Sequence, residues 1–353
     1  MSATKVGLIG CGDISGGHCR SYQAAGLDVA ALCDLDRARA ERRKKEFSFN
    51  NADIYTDYKE LLARNDIKIV TVATPVAMHA PITIAALRAG KQVACEKPST
   101  LSRAENKAII AAEEETGNRV MFFSSRMRGG YTPLCRQYIA DGKLGDLYRV
   151  DVRYWRRRGR PGLDCVVGAH WFLNKKLAGG GVVMDMGQYF MDQVLHLAGW
   201  PVITSVAAWT HRGFPSDLPT GVPFDVEEHC TIFARTEPGC LFTFDFAWIA
   251  NHTPQRCVTL LGSRGGIRMS DDAPFTFFEE PHKWHWMNTT TEWQNKTKEQ
   301  DVMYGLLAAA ARGEDVCVGT TAREALAITE LTDMTFLSAE RGREVSRKEL
   351  DTL

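Results

Sequence analysis

KVGLIGCGDIS, residues 5–15, is a short apolar run that ends in a glycine-rich turn, and it decides the fold of the chain. A helical pattern follows to about Gly26, and a second apolar run, Val29 to Cys33, ends at Asp34. The order of strand, glycine-rich turn, helix, strand and acidic residue is typical of a βαβ unit that binds a dinucleotide. The motif alone would also suit a loop that merely turns, so it needs support from its surroundings.

The residues of the turn suit a pyrophosphate. Gly10 permits the tight turn, and Gly12 lets a ligand approach the backbone. Asp13 and Ile14 lead into the helix, whose first N–H groups and positive dipole end attract an anion. The third motif position holds Ser15 instead of Gly or Ala, and serine is still small enough for close packing of the helix on the strand. We therefore assign Gly10, Gly12, Asp13 and Ile14 to cofactor binding.

The acidic residue at the end of the second strand indicates which dinucleotide is bound. Asp34 lies 22 residues beyond Gly12, where a carboxylate can accept both hydroxyls of a ribose. The same carboxylate would repel a 2′-phosphate, so we expect NAD. Arg37 and Arg39 lie nearby and leave NADP open.

Strands and helices alternate as far as Ser125. Further apolar runs occur at 67–73, 91–95 and 119–124, and helical patterns occur at 36–48, 80–90 and 102–117. Strands that alternate with helices in this way predict a doubly wound parallel sheet, and we place this Rossmann domain at residues 1–125. The charged run ERRKKE, residues 41–46, is interpreted as the solvated face of its helix.

After Ser125 strands follow strands. They are expected near 146–155, 202–210, 226–235, 240–249, 256–262 and 265–269, with helices near 131–141, 295–312 and 320–341. This order predicts an α+β domain with a large, mostly antiparallel sheet at residues 126–353. Large apolar residues alternate along one strand and must be covered by helices or by another subunit: Phe242, Phe244, Phe246 and Trp248.

The composition excludes several classes of function. The formal net charge is zero, which favours neither a nucleic acid nor an anionic membrane as partner. Ten cysteines without a C-x-x-C pair argue against a disulfide framework and against a structural metal, and they suit a reducing cytoplasm. Because the first strand begins at Lys5, we expect no signal peptide, and no apolar run is long enough to span a membrane.

Four segments stand in the order in which they occur in one known family. They are IGCGDIS at 9–15, ATPVAMH at 73–79, CEKP at 95–98 and GGGVVMDMGQYFMD at 179–192. In these segments the chain resembles the glucose–fructose oxidoreductase/inositol dehydrogenase (Gfo/Idh/MocA) family. The resemblance implies NAD(P)-dependent oxidation or reduction at a carbinol carbon of a sugar or polyol. It also implies a C-terminal sheet that packs against a partner subunit, hence a homodimer or homotetramer.

The resemblance implies a catalytic trio as well. Carried onto this chain, the lysine of E-K-P is Lys97, and the D-x-x-x-H pair falls on Asp185 and position 189. Position 189 is Tyr instead of His, as in some sugar and dihydrodiol-type branches, where the tyrosine is the proposed acid/base. A lysine ammonium about 4 Å from a phenol would favour phenolate by about 4 kcal/mol at an effective dielectric constant of about 20, before screening by solvent. A buried Tyr189 with its hydroxyl satisfied, and a Lys97–Glu96 ion pair, are the structural alternatives.

A polar stripe follows the GGG segment. On a straight helix the spacings of Asp185, Tyr189, Asp192 and His196 put all four side chains on one face. We assign Asp185 and Tyr189 to chemistry, with Asp185 orienting the substrate or Lys97. Asp192 and His196 are interpreted as a structural pair one turn apart.

The remaining site residues follow from their positions at strand ends and before the GGG helix. The carboxyl ends of parallel strands bind ligands in α/β sheets, which adds these cofactor candidates: Thr74, Pro75, His79 and Glu96. His79 is expected to shape the nicotinamide pocket or to pack. Candidates for the substrate wall are Arg126, Trp155, Arg158, His170 and Trp171, although RYWRRRGR (153–160) would also suit a solvated loop. The loop HKWHWMN (282–288) is interpreted as a lid or a subunit contact.

The sequence therefore favours a cytoplasmic NAD-dependent dehydrogenase or reductase that acts on a sugar or cyclic polyol. A redox-assisted glycoside hydrolase or lyase, which holds NAD tightly, is a second hypothesis. A cofactor-binding regulatory protein without turnover is a third, and the presence of Lys97, Asp185 and Tyr189 argues against it.

Overall fold

The computed structural model describes residues 3–218, 220–237, 239–273, 275–279, 288–290, 299–316 and 319–352. It divides into two compact units. The first consists of Met1–Arg126 and Thr297–Leu326, and the second of Met127–Lys296 and Ala327–Leu353. Of the loop HKWHWMN, all but Asn288 lies outside the described residues.

The strands of the described residues are, in chain order, β1 (Lys5–Ile9), β2 (Asp28–Cys33), β3 (Asp53–Tyr55), β4 (Ile69–Val72), β5 (Gln92–Cys95), β6 (Val120–Phe122), β7 (Leu147–Trp155), β8 (Ile203–His211), β9 (His229–Thr236), β10 (Leu241–Ala247), β11 (Gln255–Gly262), β12 (Gly265–Ser270), β13 (Thr276–Glu279), β14 (Asn288–Thr290), β15 (Thr320–Thr321) and β16 (Val345–Ser346). The α-helices are α1 (Ser15–Ala24), α2 (Arg37–Glu46), α3 (Tyr58–Leu62), α4 (His79–Arg88), α5 (Arg103–Thr116), α6 (Thr132–Ala140), α7 (Lys175–Ala178), α8 (Gln188–Leu197), α9 (Glu299–Ala311), α10 (Ala322–Arg341) and α11 (Arg347–Asp351).

The first unit is built on the predicted parallel sheet, and the predicted fold class is confirmed. Its strand order is β15-β6-β5-β4-β1-β2-β3, in which β1 to β6 run parallel and β15 is antiparallel to β6. The order reverses at β1, so the carboxyl ends of β1 and β4 flank the switch point where dinucleotides bind in such sheets. Sequence patterning missed β3, a three-residue strand, and β15.

A late segment of the chain completes the first unit. Helix α9 contributes Met303, Tyr304 and Leu307 to the same buried cluster as Val6 and Leu8 of β1. Helix α9 therefore belongs to the first unit, whereas the sequence predicted that everything after residue 125 belongs to the second domain. The reason is that α9 buries its apolar side chains against the Rossmann sheet.

The second unit is built on the large sheet that the sequence predicted. Its strand order is β14-β13-β12-β11-β7-β10-β9-β8-β16, and every neighbouring pair is antiparallel except β7 with β10. Phe242, Phe244, Phe246 and Trp248 are fully buried. Phe190 of α8 packs on Phe246 with ring centroids 6.1 Å apart. Helix α8 of the same chain thus covers this face. Helices and another subunit were the two expected alternatives.

The opposite face of the second sheet carries exposed aromatic side chains. Trp209 of β8 is 55% exposed and Phe233 of β9 is 49% exposed. Their neighbours in the register, Thr231 and Thr243, alternate with the buried side chains of the helix-covered face. Among the described residues no helix has the length and apolar character needed to cross a membrane.

Candidate active site

The glycine-rich turn of the first unit fits a dinucleotide. Gly10 has φ of +98°, and a Cβ there would lie 2.3 Å from the carbonyl oxygen of Ala73. Only glycine satisfies both constraints. A Cβ on Gly12 would meet no atom within 4 Å, so the backbone of Gly12 faces open space. The turn therefore offers the close approach that a pyrophosphate needs at the start of α1.

Asp34 is fixed beside this turn. One carboxylate oxygen accepts from the Cys11 N–H at 2.8 Å, and the other accepts from the Asp36 N–H at 2.9 Å. An ionised carboxylate has about four acceptor sites, so Asp34 can accept two more hydrogen bonds from ribose hydroxyls. Of the two arginines that left NADP open, Arg37 pairs with Glu41 at 3.0 Å and Arg39 lies 3.5 Å from a carboxylate oxygen of Asp36, both on the exposed side of α2.

Arg43 was missed by the sequence analysis, and the interpretation of residues 41–46 as a solvated face is wrong at this position. Its side chain is only 9% exposed. The guanidinium donates to the Ser15 hydroxyl at 2.7 Å and to the Gly12 carbonyl at 2.8 Å. Arg43 therefore joins α2 to the glycine-rich turn. Ala40 and Arg43 lie on the buried side of the helix, whereas Glu41 and Arg42 are exposed.

Glu96 follows β5 and is buried. Its Oε1 lies 3.1 Å from Nε2 of His18, and its Oε2 accepts from the Lys97 N–H at 3.1 Å. Burial pushes the pKa of Glu96 up, but the contact with His18 and the nearby Lys97 outweigh burial and hold it below its usual value. The carboxylate is therefore ionised. Lys97 itself is half-buried, and the Lys97–Pro98 peptide bond is cis.

A buried polar network lies behind Glu96. The Nδ1 of His18 is 2.9 Å from Nε2 of Gln300 and 2.8 Å from the hydroxyl of Tyr304, which is itself 3.0 Å from Oγ1 of Thr71. Because the Gln300 amide nitrogen donates, Nδ1 accepts and Nε2 of His18 carries the proton that faces Glu96. Sequence analysis identified neither His18 nor the α9 residues as part of the site.

His79 joins two strand ends. Its Nδ1 lies 2.7 Å from the Pro98 carbonyl oxygen, and its Nε2 lies 2.8 Å from the carbonyl oxygen of Thr74. Burial lowers the pKa of His79 below its usual value. The imidazole packs between the segment after β4, where Pro75 precedes a 3₁₀ turn, and the segment after β5. Of the two expected roles, this geometry supports packing.

In the second unit the GGG segment leads into a π-helical turn, Val183–Gly187, before α8 begins at Gln188. The prediction of one straight helix through Asp185, Tyr189, Asp192 and His196 is therefore wrong: Asp185 lies in the π turn, and the other three residues lie in α8. A π turn closes i→i+5 hydrogen bonds and changes the angle between residues before and after it. Such turns are frequent at functional sites.

The glycines of this segment serve close packing. Gly179 ends α7 with φ of +82°, and a Cβ on Gly181 would lie 1.8 Å from the carbonyl oxygen of Glu227. The Glu227 carboxylate accepts from the Gly181 N–H at 2.8 Å and from the Val183 N–H at 3.0 Å. Burial outweighs these bonds and raises the pKa of Glu227. A carboxylate that the sequence analysis missed thus caps the start of the π turn.

Asp185 is held by a hydrogen bond and an ion pair. Its Oδ2 accepts from Nε1 of the buried Trp248 at 2.9 Å and lies 3.8 Å from a terminal nitrogen of Arg156. Arg156 in turn donates to the hydroxyl of Tyr154 and to the carbonyl oxygen of Gly159. This arrangement fixes the position of the carboxylate.

The arginine beside Asp185 is thus Arg156, and the predicted Arg158 lies elsewhere. Arg158 is 63% exposed and pairs with Asp164 at 3.0 Å. Trp155 lies on the opposite face of the second sheet, where its ring approaches His229 and His252. The structure therefore does not bring Trp155 or Arg158 to Asp185.

Tyr189 lies in the first turn of α8 and is 7% exposed. Farther along the helix, Asp192 accepts two hydrogen bonds from Arg128, at 2.7 and 3.1 Å. His196 accepts from Arg136 at 2.9 Å, and burial together with Arg128 and Arg136 lowers its pKa to about 4. The expected Asp192–His196 pair is thus replaced by two contacts with arginines.

The other predicted substrate residues occupy two turns. His170 and Trp171 lie in the 3₁₀ turn His170–Leu173, and the Trp171 ring stacks on Phe172 at 3.8 Å. Arg126 is exposed after β6. Among the described residues no group of three or more His, Cys, Asp or Glu side chains could hold a metal ion.

Two family models match the chain. One, described as an oxidoreductase family with an NAD-binding Rossmann fold, matches residues 4–124. The other, described as the GFO/IDH/MocA C-terminal domain, matches residues 134–268. Together they cover most of the chain, in the order that the sequence motifs indicated.

Named relatives act on sugar derivatives. D-glucoside 3-dehydrogenase of Escherichia coli is 28% identical over 209 residues, which are 59% of this chain and 57% of that protein. D-apiose dehydrogenase of Paraburkholderia graminis is 25% identical over 98% of this chain and 90% of that protein. The chain thus spans less than two thirds of the length of the first of these relatives.

A solved structure of levoglucosan dehydrogenase, in complex with NADH and levoglucosan, matches with a TM-score of 0.83. It is 20% identical and covers 98% of this chain and 99% of that chain. At this identity the likeness shows a shared fold.

Proposed function

Because the chain belongs to the Gfo/Idh/MocA oxidoreductase family, we propose that it is an NAD-dependent dehydrogenase or reductase acting on a CH–OH group of a sugar, sugar derivative or cyclic polyol. The observation that carries the proposal is the open backbone of Gly12 beside a fixed Asp34 carboxylate. The relatives named for D-glucosides, D-apiose and levoglucosan support the substrate class.

Asp34 supports NAD over NADP. Its two oxygens are held in place by backbone N–H groups, so the carboxylate cannot easily turn away from a ligand. A 2′-phosphate at this place would face a fixed negative charge at low local dielectric. Arg37 is paired with Glu41, which reduces what it can offer to a phosphate.

We assign the chemical roles to three residues. NAD, when bound, accepts or returns the hydride, and the protein must move the hydroxyl proton. Tyr189 is the acid/base for that proton, and Lys97 supplies the positive charge that favours its phenolate form. Asp185, held by Trp248 and Arg156, orients the substrate hydroxyls. Thr74, Pro75 and Glu96 shape the carboxyl end of the parallel sheet that receives the nicotinamide, and His79 packs between the segments that carry them.

The test is a screen of the purified full chain with NAD and with NADP across glycosides, pentoses, anhydrosugars and cyclic polyols, while nicotinamide absorbance is followed. Once a substrate is found, Tyr189→Phe and Lys97→Met should each lower kcat by about 100-fold or more, since positioned acid/base catalysis contributes about 10²- to 10⁴-fold. The dissociation constant of NADH should stay within about twofold of wild type, because neither change removes a group of the glycine-rich turn.

Matched controls are Tyr148→Phe and Lys68→Met, which make the same chemical changes at exposed side chains. Full activity in either active-site variant would overturn the assignment of that residue. Cleavage of a glycoside without net formation of NADH would favour redox-assisted glycoside cleavage. NADH binding without turnover of any compound would favour a regulatory protein.

We further propose that a second copy of the chain covers the open face of the second sheet, giving a homodimer or homotetramer. Trp209 and Phe233 make this face more apolar than an ordinary solvated surface. Light scattering should give a multiple of the chain mass, and Trp209→Glu should reduce it. A monomer at all concentrations would contradict the proposal.

We propose a reducing, cytoplasmic location. The cysteines of the described residues are all unpaired, and most of them are buried. Unpaired cysteines in this number suit a compartment that keeps thiols reduced.

A further inference from the structure

Arg43 contacts the glycine-rich turn from the second turn of α2. The guanidinium donates from Nε to the Ser15 hydroxyl at 2.7 Å. One terminal nitrogen donates to the Gly12 carbonyl at 2.8 Å and lies 3.4 Å from the carbonyl oxygen of Asp13. The other terminal nitrogen pairs with Glu46. All three nitrogens of the guanidinium thus make contacts within one small region formed by the turn and α2.

The glycine-rich turn is shaped to receive this side chain. A Cβ on Gly16 would lie 3.1 Å from a terminal nitrogen of Arg43, so a side chain there would crowd the guanidinium. Ser15 occupies the motif position where Gly or Ala is usual. Its hydroxyl donates to the Gly12 carbonyl and accepts from Arg43, so it joins the turn to the guanidinium.

The consequence for the backbone follows from peptide geometry. In a planar trans peptide the carbonyl and the next N–H point in opposite directions. When Arg43 holds the carbonyls of Gly12 and Asp13, the N–H groups of Asp13 and Ile14 point away from it. Asp13 and Ile14 are exposed, and a Cβ on Gly12 would meet no atom within 4 Å, so this part of the turn has room for a ligand.

From these contacts we infer that Arg43 is a positioning residue for NAD: it fixes the two peptide units whose N–H groups bind the pyrophosphate. The inference rests on NAD binding at this turn as proposed above, and it is independent of which sugar reacts. Arg43 is almost inaccessible and acts through the backbone of the turn instead of touching the cofactor. Since the pyrophosphate is anionic, the buried guanidinium charge also raises the local potential at the turn.

The experiment compares Arg43→Met with Arg42→Met in the full chain. Both remove one positive charge from α2, but Arg42 is exposed and Arg43 is buried. NADH binding is measured by fluorescence titration at low and high salt, and the unfolding of the protein without NADH is measured separately. Arg43→Met should raise the dissociation constant of NADH at least tenfold at both salt concentrations, and Arg42→Met should change it by less than twofold. Ser15→Ala should weaken binding by about threefold, since it removes the bridge and leaves the direct bond to Gly12.

A merely structural role would give a different result. Arg43→Met would then lower the stability of the NADH-free protein while the folded fraction bound NADH with an unchanged dissociation constant, and this outcome would overturn the inference. If Arg43→Met does not fold, Arg43→Lys keeps the charge but cannot reach Ser15 and Gly12 at once. It should still weaken NADH binding at least threefold, and wild-type affinity would overturn the inference. Absence of NADH binding to wild-type protein would instead refute the proposed function.

Discussion

The chain contains two glycine-rich segments that lead into helices, and they are used in opposite ways. At Gly12 the missing side chain leaves open space, whereas at Gly181 it makes room for the backbone of Glu227. A buried cation, Arg43, holds the carbonyls of the first turn. A buried carboxyl group, that of Glu227, holds the N–H groups of the second.

The difference shows how a helix start is made either into a ligand site or into a support. The carbonyl groups of the first turn point into the protein, so its N–H groups stay available to a bound anion. The second turn satisfies its N–H groups internally and uses that rigidity to hold Asp185, whose carboxylate also receives Trp248. A glycine cluster before a helix therefore does not by itself predict an anion site.

The largest expected effect is that of Gly181→Ala. Its Cβ would lie 1.8 Å from the Glu227 carbonyl oxygen, so the backbone of one segment must move. We expect a loss of about 4 kcal/mol in the free energy of unfolding, or a failure to fold, since such clashes belong to the most damaging class of substitutions. Chemical denaturation of the purified variant measures the loss. A loss below about 1 kcal/mol would show that the two segments are not in contact.

Glu227→Gln should cost about 2 kcal/mol of unfolding free energy. The amide replaces one acceptor by a donor, so either the Gly181 N–H or the Val183 N–H loses its partner while buried. The matched control is Glu237→Gln, which makes the same change at an exposed residue after β9. Equal stabilities of the two variants would contradict the role of Glu227 as a cap.

Gly12→Ala should leave folding nearly unchanged and weaken NADH binding at least tenfold, or about 1.4 kcal/mol. The new methyl group meets no protein atom within 4 Å, so it would occupy only the space that a pyrophosphate needs. Titration with NADH and denaturation without it separate the two effects. Tight NADH binding by the variant would remove the contrast between the two turns.

The smallest expected effect concerns pH and the last turn of α8. The pKa of His196 is lowered from 6.5 to about 4 in the folded state. Between these values the unfolded chain binds a proton that the folded chain does not, so stability falls as the pH decreases from 7 to 5. His196→Gln should reduce this fall by about 1 kcal/mol, after allowance for solvent screening. Denaturation midpoints of both proteins at pH 7 and pH 5 measure it, and parallel pH dependences would exclude His196 as the cause.

Much of the first unit could be predicted from the sequence because its signals are local. The strand, turn and acidic residue stand close together in the chain, and each needs a particular residue type. The same reasoning recovered the antiparallel sheet of the second unit from alternating strands. It also placed Asp185 and Tyr189 on neighbouring helical turns.

What could not be predicted depends on contacts between distant segments. In the sequence, Arg43 is one of six consecutive charged residues, 41–46. The one local sign that it faces inward is the apolar residue one turn earlier, Ala40, which is buried in the structure. Glu227 reaches the GGG segment from more than forty residues away, with no local pattern to mark it. Asp185 lies in a π turn, and period counting assumes that no such turn is present.

Helix α9 has a consequence for biosynthesis. Its Tyr304 packs against Tyr22 and contacts His18, so the first unit contains side chains that the ribosome adds only after most of the second unit has been made. Domains usually fold in the order in which they emerge. Here the first unit cannot complete its core until α9 has been synthesised. A fragment that ends at Arg126 would therefore expose the apolar surface that α9 covers. A gene fusion or a truncation that treats the first 126 residues as a complete domain would therefore yield an unfinished one.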